Sequence, residues 1–145
     1  MMQAAQKSAE EAALRTGKTQ PLVLGVTVLT SLNSNDLAEV GVPHDVGNQV
    51  ERLASLAAKA GLGGLVCSPL EIARLRQFLP AHVQLVTPGI RPRDAKADDQ
   101  TRIMTPAEAA RGGARYIVVG RPIRDAADPY KVAAGIQTEI AAVFG

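Results

Sequence analysis

The sequence predicts a parallel α/β fold, and three observations carry the prediction. Four short apolar runs lack polar alternation, as strands buried in a parallel sheet do, and segments with helical spacing separate them. Aromatics make up only 3% of the chain and Trp is absent, so Leu, Val, Ile and Ala must fill the core, as they do between helices and a parallel sheet. Three of the helical segments open on Ser-Pro, Thr-Pro or Asp-Pro, a capping side chain followed by proline at the first helical position.

Residues 2–16 read as an Ala-rich helix with Glu10 and Glu11 on its polar side and Gly17 as its C-cap. Pro21-Leu-Val-Leu-Gly-Val-Thr-Val-Leu29 follows, read as a strand buried on both faces and ending at Thr30-Ser31. A helix built on Val46, Val50, Leu53, Leu56 and Ala57 stops at Gly61 and leads into a second strand, Gly64–Cys67. Ser68-Pro69-Leu-Glu71 is a capping box that opens the next helix. The third strand is Val83–Thr87, and Thr105-Pro106-Ala-Glu108 repeats the capping box after it. Tyr116–Val119 is the fourth strand. Asp128-Pro129 starts the last helix, with Val132, Ile136, Ile140 and Val143 as its apolar face. Strands alternating with helices mean βαβ units with right-handed crossovers.

The chain has 145 residues, read as a single domain over 1–145. Four βα units fit either a small doubly wound sheet or half of an eight-unit barrel, which typically needs about 250 residues. A half barrel leaves two strand edges that a partner or the other half must cover.

A net charge of +2 without a basic run, and without aromatics interleaved among Lys and Arg, argues against nucleic-acid binding. The single cysteine, Cys67, excludes an intrachain disulfide and a Cys-rich metal site and suits a reducing compartment. The first residues, MMQAAQKSAEEAALRTG, lack the apolar stretch of a signal peptide or membrane span, so no membrane association and a cytoplasmic location are expected.

Ligands of parallel α/β folds sit beyond the carboxyl ends of the strands. The loops to read are therefore Thr30–Pro43, Ser68–Pro69, Pro88–Thr105 and Gly120–Pro129. The third is long and polar, as lids and ligand clamps are. The fourth begins Gly120-Arg121-Pro122, where a bare backbone amide and a guanidinium can meet an anion.

In order and spacing, the segments VTVLTS, LVTPGIRP, DQTRIMTPAEA and YIVVGRPI resemble the last four strands and loops of bacterial orotidine 5′-phosphate decarboxylase, a likeness running from the first helix to the last. The resemblance implies a (β/α)8 TIM barrel of which this chain covers about the last four βα units. It implies a cofactor-free, metal-free homodimer converting orotidine 5′-phosphate to uridine 5′-phosphate and carbon dioxide, in pyrimidine biosynthesis. Thr30 is placed near the pyrimidine and ribose, and Arg91, Gln100, Gly120 and Arg121 on the phosphate. No catalytic residue is expected in this chain. The family's lysine, which protonates the carbanion from an Asp-x-Lys-x-x-Asp element on the third barrel strand, is expected in a missing N-terminal half barrel. Two rival readings are a non-catalytic phosphate-binding or assembly module and a related sugar-phosphate barrel enzyme.

Asp94-Ala-Lys96-Ala-Asp98-Asp99 matches that element by pattern alone. It follows Pro92-Arg93 in mid-loop with no strand to fix its geometry, so it reads as a solvated charged stretch. Cys67 reads as a small buried hydrophobe, and His44 and His82 are too isolated for a metal site. Arg102 is either a surface charge or a lid anchor. For Arg91 and Arg121, the rival to phosphate binding is a structural salt bridge to Asp125 or Asp128.

Overall fold

A computed structural model of the chain describes residues 1–43, 45–92 and 102–145. The first helix, α1 (Met2–Thr16), ends where Gly17 takes a left-handed φ of 64° and bonds back to the Ala13 carbonyl. Strands β1 (Leu24–Val26), β2 (Gly64–Val66), β3 (Gln84–Thr87) and β4 (Tyr116–Ile117) form one parallel sheet in the order β1-β2-β3-β4. A doubly wound sheet reverses its strand order at a switch point. Here each strand lies beside its sequence neighbour, the arrangement of consecutive barrel strands.

The connections hold α2 (Ser34–Glu39) and α3 (Val46–Lys59), then a 3-10 turn (Pro69–Glu71) running into α4 (Ile72–Arg76), and α5 (Pro106–Gly112), with α6 (Arg121–Arg124) and α7 (Pro129–Phe144) last. Both capping boxes form: Ser68 with Glu71, and Thr105 with Glu108. Asp128 caps α7 by accepting from the Lys131 N–H. Two helices depart from expectation. Asn33 caps α2 through its own capping box with Asp36 inside what reads as a loop, and α6 follows Gly120 directly.

The register sets the two faces. Gly25, Leu65 and Leu85 align in one row facing the helices, and a β-carbon on Gly25 would lie 3.1 Å from that of Ala57 on α3. Leu65 and Leu85 join Val50, Ala54, Ala57, Ile72, Leu75 and Ala109 in the core between sheet and helices. The alternate row, Val26, Val66, Val86 and Tyr116, points the other way. Val26 is 58% exposed, and Leu24, Leu29 and Tyr116 are exposed as well. The reading of the first strand as buried on both faces is thus corrected: β1 is an edge strand, and its second face is open. The apolar face assigned to α7 is covered in part: Ile136 is buried, and Val132, Ile140 and Val143 are half-buried. Leu56 of α3 is exposed as well. Among the described residues no helix is long and apolar enough to cross a membrane.

Candidate functional site

Because the four strands run parallel, their carboxyl ends share one rim, and the loops leaving them carry the candidate residues. Thr30, four residues past β1, is buried. Ser68 and Glu71 leave β2, Arg91 leaves β3, and Gly120 and Arg121 leave β4. Gln100 lies outside the described residues, as do Lys96 with its neighbouring carboxylates and His44.

Arg91 is held where a charged side chain is costly. Past β3, Ile90 makes a parallel bridge with Met104, and the Arg91 N–H donates to the Met104 carbonyl at 3.0 Å. The residue is 6% exposed. One Nη donates to the Ile90 carbonyl at 2.9 Å, and the buried Nε has no hydrogen-bond partner among the described residues. No carboxylate pairs with it among those residues. Of the carboxylates in the rival salt-bridge reading, Asp125 pairs with Arg124 and Asp128 caps the α7 backbone. The Arg124 contact holds the Asp125 carboxyl below its ordinary range, and the charge of Arg121 adds to the effect. Among the described residues the buried guanidinium thus lacks a counter-ion, and an anion would compensate it.

Gly120 is the N-cap of α6, with a negative φ of −102°. A β-carbon there would meet no atom within 4 Å. The glycine is therefore not required by packing, and it leaves space on the rim beside Arg121.

Two further groups complete the rim. Cys67 is buried and its thiol is pushed up to about 12, first by burial and then by the charge of Glu71, while the Thr87 hydroxyl and the Arg76 and Arg102 charges pull the other way. That thiol stays protonated and unreactive. His82 is exposed in the turn entering β3, at the opposite end of the strand from the rim. Arg102 anchors the loop: it pairs with Glu71 and donates to the Leu29 carbonyl at 2.7 Å. Its partners lie 31 and 73 residues away, so no local pattern reveals them. Among the described residues no group of His, Cys, Asp and Glu could hold a metal ion.

A parallel sheet in sequential order defines half of a (β/α) barrel, with the candidate residues at its strand ends. The solved orotidine 5′-phosphate decarboxylase of Lactobacillus acidophilus superimposes with a TM-score of 0.80 at 35% identity, over 97% of this chain and 58% of that one. The enzyme of the same name from Pyrococcus horikoshii shares the fold, with a TM-score of 0.60 at 22% identity over 90% of this chain and 55% of its own. Among curated relatives, the orotidine 5′-phosphate decarboxylase of Opitutus terrae is 65% identical over 119 residues, 82% of this chain and 52% of the relative. That of Pseudomonas entomophila is 54% identical over 131 residues, 90% of this chain and 55% of the relative. The Orotidine 5′-phosphate decarboxylase / HUMPS family pattern matches residues 1–136, and the chain belongs to that family. It spans about half the length of the curated relatives it matches.

Proposed function

We propose that the chain supplies the phosphate-gripping half of an orotidine 5′-phosphate decarboxylase, one domain over residues 1–145 that binds orotidine 5′-phosphate and its product uridine 5′-phosphate. Arg91 carries the proposal. Its guanidinium is buried with no carboxylate partner among the described residues, on the rim where parallel α/β folds take their ligands, and so suits an anion. Arg121 adds a second charged fork, Gly120 a backbone amide beside open space, and Gln100 a neutral donor; Thr30 faces the pyrimidine and ribose. None of these groups breaks a covalent bond. They hold the phosphate, and through it orient the ring, so that contacts remote from the reacting carbon lower the barrier there. The protonating lysine belongs to a complementary half barrel, which also covers the open sheet face at Val26 and Tyr116. A cytoplasmic homodimer completes the reading.

The test is uridine 5′-phosphate formation from orotidine 5′-phosphate by the purified chain, alone and mixed with the first four βα units of a full-length relative. Activity is expected only in the mixture. Activity of the chain alone would give Lys96 the role denied to it above. No activity in either case, with phosphate still bound, would leave a non-catalytic phosphate-binding module, and preference for a sugar phosphate would favour the related-barrel reading.

A further inference from the structure

One guanidinium on the rim makes none of the proposed ligand contacts. Arg102 lies two residues before Met104, and its side chain is only 14% exposed. One Nη donates to Glu71 Oε1, and the other to the Leu29 carbonyl at 2.7 Å and the Val28 carbonyl at 3.5 Å. The second oxygen of Glu71 accepts the Ser68 N–H at 2.9 Å. Arg102 thereby joins three strand ends. It grips the chain just past β1 through the two carbonyls, reaches the end of β2 through the Glu71 cap, and is continuous with the end of β3 through Met104. The Met104 carbonyl accepts from Arg91 at 3.0 Å, and its N–H donates to the Gly89 carbonyl at 3.3 Å.

This differs from a surface ion pair in consequence as well as burial. The carbonyl it grips belongs to Leu29, immediately before Thr30, and the backbone ladder carries its position to Arg91. Thr30 and Arg91 are the proposed contacts for opposite ends of one ligand, the ring and ribose at one and the phosphate at the other. A fork with two simultaneous acceptors fixes a distance that a point charge cannot.

We infer that Arg102, held by Glu71, is a positioning residue. It sets the separation between the β1 end at Thr30 and the β3 end at Arg91, and so favours a nucleoside monophosphate that spans both ends over a bare phosphate that uses one. The inference rests on the nucleotide reading of the site.

The test is calorimetric titration of the 145-residue chain with uridine 5′-phosphate and with inorganic phosphate, for the unaltered chain, Arg102→Lys and Glu71→Gln. Both variants keep side-chain bulk, and circular dichroism checks that they fold. Affinity for the nucleotide is expected to fall about tenfold in each variant, while affinity for phosphate stays within about twofold, because a small misplacement affects only a ligand held at both ends. A merely structural role would lower the melting temperature and weaken both probes together; an unchanged ratio of the two affinities overturns the inference. If the unaltered chain binds phosphate but not the nucleotide, the nucleotide reading fails and the inference with it. If it binds both and the variants keep the ratio, the inference alone falls.

Discussion

Leu24 occupies the space that a side chain on Gly64 would need. The two are paired across the β1–β2 ladder, and a β-carbon on Gly64 would stand 2.6 Å from Leu24 Cδ2 and 3.0 Å from the Gln84 carbonyl oxygen. Leu24 sits on the open face and can swing aside, but the carbonyl belongs to the neighbouring strand and cannot. Gly64→Ala is therefore expected to destabilise the chain by about 1–3 kcal/mol through overpacking. The loss is read as a lower urea midpoint with an unchanged slope.

Gly120 presents the opposite case. No atom lies within 4 Å of a β-carbon on Gly120, so Gly120→Ala should cost no more than about 1 kcal/mol of stability. If a phosphate fills that space, the added methyl group displaces it, and phosphate affinity should fall about tenfold, which is about 1.4 kcal/mol. Thermal melting and calorimetric titration on the same protein separate the two effects. Equal binding by the variant would remove Gly120 from the phosphate contacts.

Burial holds the Glu71 carboxyl above its ordinary value of 4.5, outweighing the Arg102 charge and the Ser68 N–H, which act to lower it. The folded state therefore binds this proton more tightly than the unfolded chain does. The stability so contributed is full below about pH 4.5 and is lost as pH rises through the elevated folded value. Glu71→Gln does not titrate, so the stability of the unaltered chain minus that of the variant should shrink as pH rises from 4 to 7. Chemical denaturation at several pH values checks this, and a difference that grows with pH would mean that Arg102 outweighs burial.

Cys67 tests the core independently of any ligand. A thiol pushed to about 12 and almost fully buried should resist a thiol-specific disulfide reagent at pH 8 in the folded chain and react in denaturant. Labelling that tracks urea unfolding is expected. Rapid labelling of the native chain would place the thiol at the surface.

Features written in a few adjacent residues were legible in the sequence. Ser68 with Glu71, Thr105 with Glu108, Asp128 before Pro129, and Gly17 at the end of α1 all act over three or four residues, and each does what its residue types require. The capping box of Asn33 and Asp36 was equally local, but the six-residue α2 behind it is too short to show apolar periodicity. Burial was less legible because it depends on what lies opposite. Leu24 and Val26 have the composition of a central strand, yet the sheet face they point to is left open. At the site, Arg91 and Gly120 stood out through chain order. Arg102 and Glu71 did not, because their pairing depends on how β1, β2 and the β3–α5 connection converge.

The sequential strand order also governs how the fold comes apart. The β3–β4 ladder has two registered residue pairs against three in each of the other two, and α7 behind it packs on α5 and α6 with one buried residue of its own. The segment from Tyr116 onward should thus open more cheaply than β2 and β3, and amide exchange there should run ahead of exchange in those strands. Gly120 and Arg121 travel with that segment. An anion they hold is bound only while it is closed, so occupancy and closure reinforce each other, and a ligand would protect the C-terminal amides more than any others.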